Sequence, residues 1–353
     1  PRSTLFPYMT LFRSAINKVR KYAESKIEKH LAYIEEICKR FNVDVCFLIN
    51  QVLSKPITIN FHPDRFSNNG KTVMENLLEQ GQYHGQFRTG TTNGGKSAFI
   101  GGDRFLWEQR IFFDAYPPES IDRPKYGALN IFQYIDGTSV RFGSCFFTLK
   151  EDVVHRCTFA YGDSSTNPDT LCTSDTFAAV LASLFKDVKC NCRMLNQVIA
   201  SEQEALAILL SHCNKPKHIG RNLDYCIETH IHGDISLKDD VDGFYMDQSF
   251  QGTSFATQAE IMCEKYNIEL NWIPKRQLDI HCIGELFRGP KIPLLAHKID
   301  NIFGNSQGVV NAFLIGQASR DIDLYPKKWV NLGNKEQLFQ YIKQIWHTVA
   351  YFG

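Results

Sequence analysis

No apolar run in the 353 residues approaches the roughly 20 that a helix needs to cross a bilayer, so no membrane-spanning helix is expected. An excess of charge of one sign is also missing. The chain sets 39 Lys and Arg against 38 Asp and Glu, which excludes the basic footprint of a dedicated nucleic-acid binder. The 11 cysteines lack paired spacing: they are odd in number, scattered, and mostly set in apolar runs such as those around Cys46 and Cys157. That usage suits free buried thiols in a reducing compartment and speaks against a disulfide framework. Cys190-Asn-Cys192 has no second pair at ligand spacing, so a zinc knuckle is not expected either. There is no internal repeat and no low-complexity tract. The opening Pro-Arg-Ser-Thr-Leu-Phe-Pro has no secretory signal pattern, and without Met at position 1 a removed targeting segment stays open.

What is present is enough apolar material, 43% of residues, to bury one large core or two smaller ones. Leu11, Ile16, Val19, Tyr22, Ile27, Leu31, Ile34 and Ile37 recur at threes and fours, which predicts helix over residues 8–42, followed by a second apolar stretch over 43–53. Pro56 ends helix, and Ile57-Thr-Ile-Asn-Phe61 alternates as a strand does. A short helix is predicted over 73–78. Residues 81–102 are rich in Gly, Thr, Asn and Gln, a long loop of the kind that usually carries function. Beyond it the pattern predicts helices over 104–113, 175–185, 201–211, 258–266 and 335–350, and strands over 128–134, 140–149, 155–161 and 224–231. Regular strand–helix alternation is absent, so the expected fold is α+β with a sheet of short strands. Three parts are expected: a helical cap over 1–54, a core over 55–290 and a mostly helical extension over 291–353.

Several short motifs have to be weighed. Gly90-Thr-Thr-Asn-Gly-Gly-Lys96-Ser97 fits the phosphate-loop letters G-x-x-x-x-G-K-S/T, but no buried strand precedes it and Gly101-Gly102 would break the following helix. His62-Pro63-Asp64 repeats the co-chaperone tripeptide, yet a strand runs into it where a basic helix is required. Glu228-Thr-His230-Ile-His232 places three ligand-type side chains on one face of a strand, which keeps a metal-dependent hydrolase open as an alternative.

Taken in chain order, Asn60-Phe-His62-Pro-Asp-Arg65, the loop from Gln86 through Arg88 to Asn93, Gly94 and Gly95, Gly101-Gly-Asp-Arg104, Arg123-Pro-Lys-Tyr126-Gly127, Arg141-Phe-Gly-Ser144, Tyr161-Gly-Asp163-Ser164 and Tyr225-Cys-Ile-Glu228-Thr-His-Ile-His-Gly233 resemble a divergent bacterial arm of the ADP-ribosyltransferase superfamily. The resemblance runs from about residue 57 to 253 and extends to Phe287-Arg-Gly-Pro290. It implies a split mixed or antiparallel sheet with NAD as the substrate, and transfer of ADP-ribose to a side chain of a target protein. It further implies a secreted effector or toxin acting in a host cytosol, or otherwise a cytoplasmic enzyme, with NAD hydrolysis as a side activity. The site residues it implies are Glu228, Ser164 and Arg65 for catalysis, with His62, Arg65, Asn93, Gly94, Gly95, Tyr126 and Ser164 holding NAD and no resident metal. Where relatives carry Gln two residues after the catalytic Glu, this chain has His230, and where they carry an acidic residue in the glycine loop it has Arg88. An inactive NAD-binding or interaction module on the same fold is the remaining alternative.

Overall fold

The computed structural model describes residues 5–90, 97–166, 168–211, 220–221 and 223–353, with backbone alone for 5–11. It is an α+β fold. Eight strands form one sheet: β1 (Ile57–Phe61), β2 (Lys125–Leu129), β3 (Cys145–Leu149), β4 (Cys157–Tyr161), β5 (Leu171–Thr173), β6 (Ile227–Ile231), β7 (Val241–Asp247) and β8 (Glu269–Ile273). Their order across the sheet is β8-β7-β3-β1-β2-β6-β4-β5, antiparallel throughout except between β7 and β8. All five residues of β1 are buried, as expected for a strand covered on both faces.

The sheet is close to being two. β1 pairs with β3 at four positions but with β2 at only two, Ile57 with Leu129 and Thr58 with Ala128. From Ile59 onward β1 and β2 diverge. Gly127 sits at the fork: a Cβ there would lie 2.7 Å from the Thr58 carbonyl oxygen, so only glycine lets the strands meet and then part.

The predicted helix over 8–42 is two helices, α1 (Leu5–Glu24) and α2 (Ile27–Arg40). The apolar spacing is continuous, but the two halves serve different cores. Ala15 and Val19 pack with Trp107, Ile111 and Phe112, whereas Ile34 and Ile37 join the main core, so the chain must turn between them. The next helix, α3 (Val45–Leu53), starts where the Asp44 side chain accepts a hydrogen bond from the Phe47 N–H. After α4 (Val73–Gln80) and α5 (Asp103–Ile111) come α6 (Ala178–Asn191), α7 (Glu202–Leu210) and α8 (Ser254–Tyr266). Strand starts and ends differ from the pattern. The stretch 128–134 is strand only through Leu129, because Asn130 and Tyr134 exchange hydrogen bonds of 3.0 Å that close a turn. Residues 140–142 form a 3-10 turn, and β3 begins after Gly143. Strands β7 and β8 were not legible: a bulge between Val241 and Gly243 breaks the alternation of β7. The region up to residue 330 holds two full helices, α9 (Lys291–Phe303) and α10 (Ala312–Leu324), before α11 (Lys335–Phe352).

One apolar cluster runs from Ala23 to Ala350 and so joins the three expected parts. The Trp346 indole N–H donates to the Val140 carbonyl at 2.9 Å, which seats α11 on the loop before β3. Beneath it lies a buried ionic triad. Asp136 Oδ1 accepts from Arg221 at 2.7 Å and its Oδ2 from Arg276, whose guanidinium also reaches the Ala350 carbonyl at 2.6 Å. All three side chains are at most 2% exposed, so removing one partner leaves charge stranded in a medium that solvates it badly. Burial raises the Asp136 carboxyl, but the two guanidiniums outweigh it and hold the group below its ordinary value. Its contribution is therefore complete above the unfolded value of about 3.9 and is lost as the pH falls through the lower folded value. Asp136→Asn is expected to cost about 3–5 kcal/mol in chemical denaturation at neutral pH and to flatten the acid limb of the stability curve. A loss under about 1 kcal/mol would show that the triad does not tie the C-terminal helix to the sheet.

Candidate active site

β6 lies between β2 and β4, near the centre of the second half of the sheet. Alternation sends Glu228 and His230 to one face, and His232 follows two residues on. The neighbours opposite Glu228 are Ala128 and Ala160, two methyl groups that leave room beside the carboxylate. Opposite His230 stand Tyr126 and Thr158.

Ser164 reaches Glu228 from the turn after β4. Gly162 takes a positive φ of 92° and donates its N–H to the Cys226 carbonyl at 2.9 Å, and the Asp163 carboxylate accepts from Ser165 at 2.8 Å. The turn so formed aims the fully buried Ser164 hydroxyl at Glu228 Oε1, to which it donates. Trp107 Nε1 donates to the same hydroxyl oxygen at 3.1 Å, and His230 Nε2 donates to Glu228 Oε1 at 2.9 Å. Both protein contacts thus fall on one carboxylate oxygen. The side chain keeps 14% of its surface exposed, toward the cleft.

That cleft opens where β1 and β2 part, with Asn60 on one wall and Lys125, Tyr126 and Gly127 on the other, and holds about 1050 Å³ of space open to solvent. A further wall comes from α5, whose Arg104, Trp107 and Glu108 fall at i, i+3 and i+4 on one helix face. The Glu108 carboxylate is almost wholly buried and meets Arg123 at 3.2 Å, Arg104 at 3.6 Å and the Tyr126 hydroxyl at 3.0 Å. Burial pushes its pKa up against the pull of the two guanidiniums and the donated hydrogen bonds. Tyr126 is raised well above its ordinary value by burial and then by Glu108. The Arg104 guanidinium lies 4.7 Å from the centres of both the Trp107 and Tyr126 rings, a stacked wall of aromatic and cationic groups.

Among the predicted residues, Glu228, Ser164 and Tyr126 come together here. Ser164 lies behind the carboxylate rather than on the cleft surface. His62 and Arg65 stand elsewhere. His62 is buried edge-on to the Trp346 ring, 3.4 Å from the Ser144 hydroxyl, with its pKa pushed well down by burial and by Arg65 and His347. Arg65 is held at 2.7 Å by the buried Asp64 and lines a separate hollow against α11. That hollow is not remote. It shares Arg141 with the Glu228 cleft, and a third hollow shares His62, Ser67 and Asn68 with it and Tyr83, His84 and Gln86 with the cleft, so the three hollows adjoin one another. Asn93, Gly94 and Gly95, with most of the phosphate-loop letters, lie outside the described residues. Arg88 pairs with Asp122 at 2.5 Å on the surface.

For the metal reading, both imidazoles are already engaged. Glu228, His230 and His232 share a face as expected, but each ring nitrogen is within hydrogen-bond distance of a protein group: Tyr116 and Thr158 for His232, Thr158 and Glu228 for His230. Among the described residues no group of three His, Cys, Asp or Glu is arranged to hold a metal ion. Sequence reading singled out Arg104 but missed Trp107, Glu108, Tyr116 and Thr158. The i, i+3, i+4 spacing of Arg104, Trp107 and Glu108 was there to find. Nothing local marks Tyr116 or Thr158.

A family model described as "Protein of unknown function (DUF3626)" matches residues 56–352, and the chain belongs to that family. No curated protein matches the chain.

Lys125, on the cleft wall, is buried and donates to the Gly233 carbonyl at 2.9 Å. Burial, opposed by Asp234 and Asp122, pushes its ammonium from 10.5 down to about 8. The folded chain therefore holds this proton more weakly than the unfolded chain does, and stability carried by Lys125 rises with pH between about 8 and about 10.5. Chemical denaturation at pH 8 and 10 should show this rise in the wild type and its loss in Lys125→Met. An equal slope in both proteins would contradict it.

Proposed function

We propose that this member of the family is a mono-ADP-ribosyltransferase, which breaks the nicotinamide–ribose bond of NAD and passes ADP-ribose to a side chain of a target protein. The observation that carries this reading is Glu228, tethered through one oxygen at the base of a cleft walled by Trp107 and Tyr126. In the reaction the C–N bond breaks with its electron pair going to nicotinamide, and positive charge builds on the ribose as in glycoside hydrolysis. A fixed carboxylate facing that carbon stabilises the charge without reorganising. The acceptor heteroatom then bonds to the ribose carbon and loses its proton. Trp107 and Tyr126 line the cleft beside Glu228, and Arg141, on the wall shared with the adjoining hollow, offers a guanidinium for the pyrophosphate. Under this reading His62 and Arg65 serve from the adjoining hollow. The resemblance of the ordered motifs to ADP-ribosyltransferases supports the same conclusion, including action as a bacterial effector inside a host cell.

Incubating the protein with labelled NAD and a host lysate should mark a discrete band, and Glu228→Gln should lower the labelling by about 10²–10³-fold. Labelling that survives the substitution would remove Glu228 from the chemistry. Calorimetric NAD binding without consumption would leave a binding module in place of an enzyme.

A further inference from the structure

The groups behind Glu228 are more ordered than a packed core requires. Tyr116 Oη lies 2.6 Å from His232 Nδ1, His232 Nε2 lies 2.9 Å from Thr158 Oγ1, and Thr158 Oγ1 lies 3.0 Å from His230 Nδ1. His230 Nε2 then lies 2.9 Å from Glu228 Oε1. Tyr116 is 1% exposed, and Thr158, His230 and His232 are wholly buried. Phe112 presses edge-on against both imidazoles, with ring centres 5.3 and 5.1 Å away. Three separated stretches supply these side chains, so the alignment is a product of the tertiary fold.

With Glu228 as a carboxylate and both rings neutral, valence sets the direction of every link. An ionised carboxylate only accepts, so His230 Nε2 must carry the proton, and in a neutral ring Nδ1 then accepts. Thr158 has one hydroxyl proton, which it gives to His230 Nδ1, so it must accept from His232 Nε2–H. His232 Nδ1 is left as an acceptor, and the Tyr116 hydroxyl donates to it. All four links point the same way, toward Glu228.

We propose that Tyr116, His232, Thr158 and His230 form a one-way hydrogen-bond chain that holds Glu228 aimed through Oε1, leaving Oε2 as the oxygen that meets the ligand. The four are positioning residues, and the proposal rests on the reading of Glu228 as the working carboxylate. Its physical point is that the donors are neutral. An Arg or Lys partner would also aim Glu228, but would cancel much of its field at the cleft. Neutral donors supply the hydrogen bonds that a partly buried anion needs and leave its full charge to act on a cation in front of it. Burial also disfavours a charged His232, with the neighbouring His230, Lys125 and Arg156 acting in the same direction. The arrangement explains why His230 stands beside Glu228: it is behind the carboxylate and does not contact an acceptor.

The test uses the full chain and two near-isosteric substitutions. Thr158→Val removes the hydroxyl that both imidazoles share, and Thr158→Ser keeps it. Long-range ¹H–¹⁵N spectra of histidine-labelled protein should show His230 and His232 in the Nε2–H form. Thr158→Val should lower kcat for NAD consumption by about 10–100-fold, the scale seen when outer partners of a working group are removed, with KM for NAD little changed. Thr158→Ser should restore most of the rate, and thermal melts of both variants separate this effect from loss of fold. An Nδ1–H tautomer on either ring would overturn the chain. So would a folded Thr158→Val variant with wild-type kcat, or a folded Thr158→Ser variant as slow as Val. A wild type that consumes no NAD would defeat the transferase reading instead, and the tautomer spectrum would still decide the chain.

Discussion

The parting of β1 from β2 after two residue pairs is the constraint on which the rest of the molecule depends. Two neighbouring strands normally satisfy each other's backbone groups along their length. Here they share Ile57–Leu129 and Thr58–Ala128 and then separate, which opens a cleft in a sheet otherwise continuous across eight strands. The fork is maintained from several sides. Gly127 permits the close contact at its base, and Gly143 permits the loop before β3 to pass Phe61, where a Cβ would lie 2.0 Å from the backbone. The Asn60 side chain accepts from the Ser139 N–H at 3.2 Å, holding the loop 130–139 over the opening. The buried Asp136 triad then fastens that loop to the C-terminal helix. Helices distant in sequence from the cleft thus have a direct mechanical part in keeping it open.

Two carboxylates near this cleft are kept in opposite ways. Glu108 is enclosed by two guanidiniums and a phenol, and its charge is spent on holding α5 against β2. Glu228 accepts from Ser164 and His230 on one oxygen and faces the cleft with the other. The first arrangement is structural cement; the second leaves one carboxylate oxygen open to the cleft. The difference comes from the elements that surround each group. α5 and the loop after it bring arginines to Glu108, while β2 and β4 bring Ala, Tyr and Thr to the flanks of β6.

Much of the local structure was legible in the chain. Alternation marked β1, β4 and β6, and apolar spacing marked most helices. The failures have physical causes. The bulge at Val241–Gly243 hides the alternation of β7, and the apolar stripe over 8–42 could not reveal that its halves face two different cores. For the site, Glu228 and Ser164 were found through the order of their motifs, and the fold joins them. Arg65, read as their partner, is drawn to Asp64 because a buried carboxylate one residue away is a nearer counter-charge than anything in the cleft.

By itself the sequence determined an α+β chain with balanced charge, free thiols and a Glu-x-His-x-His strand whose three polar side chains share a face. It could not choose between a metal site and a tethered carboxylate, because both use the same letters at the same spacing. Tertiary structure adds what the letters omit, bringing Thr158 from one neighbouring strand, Tyr116 from the loop after α5 and Ser164 from a turn to occupy the hydrogen-bonding positions around His230, His232 and Glu228 Oε1. The physical reason is that a side chain's chemistry depends on which of its lone pairs and protons are already engaged, and those partners lie 64 to 116 residues from the groups they engage where they are not on the strand itself.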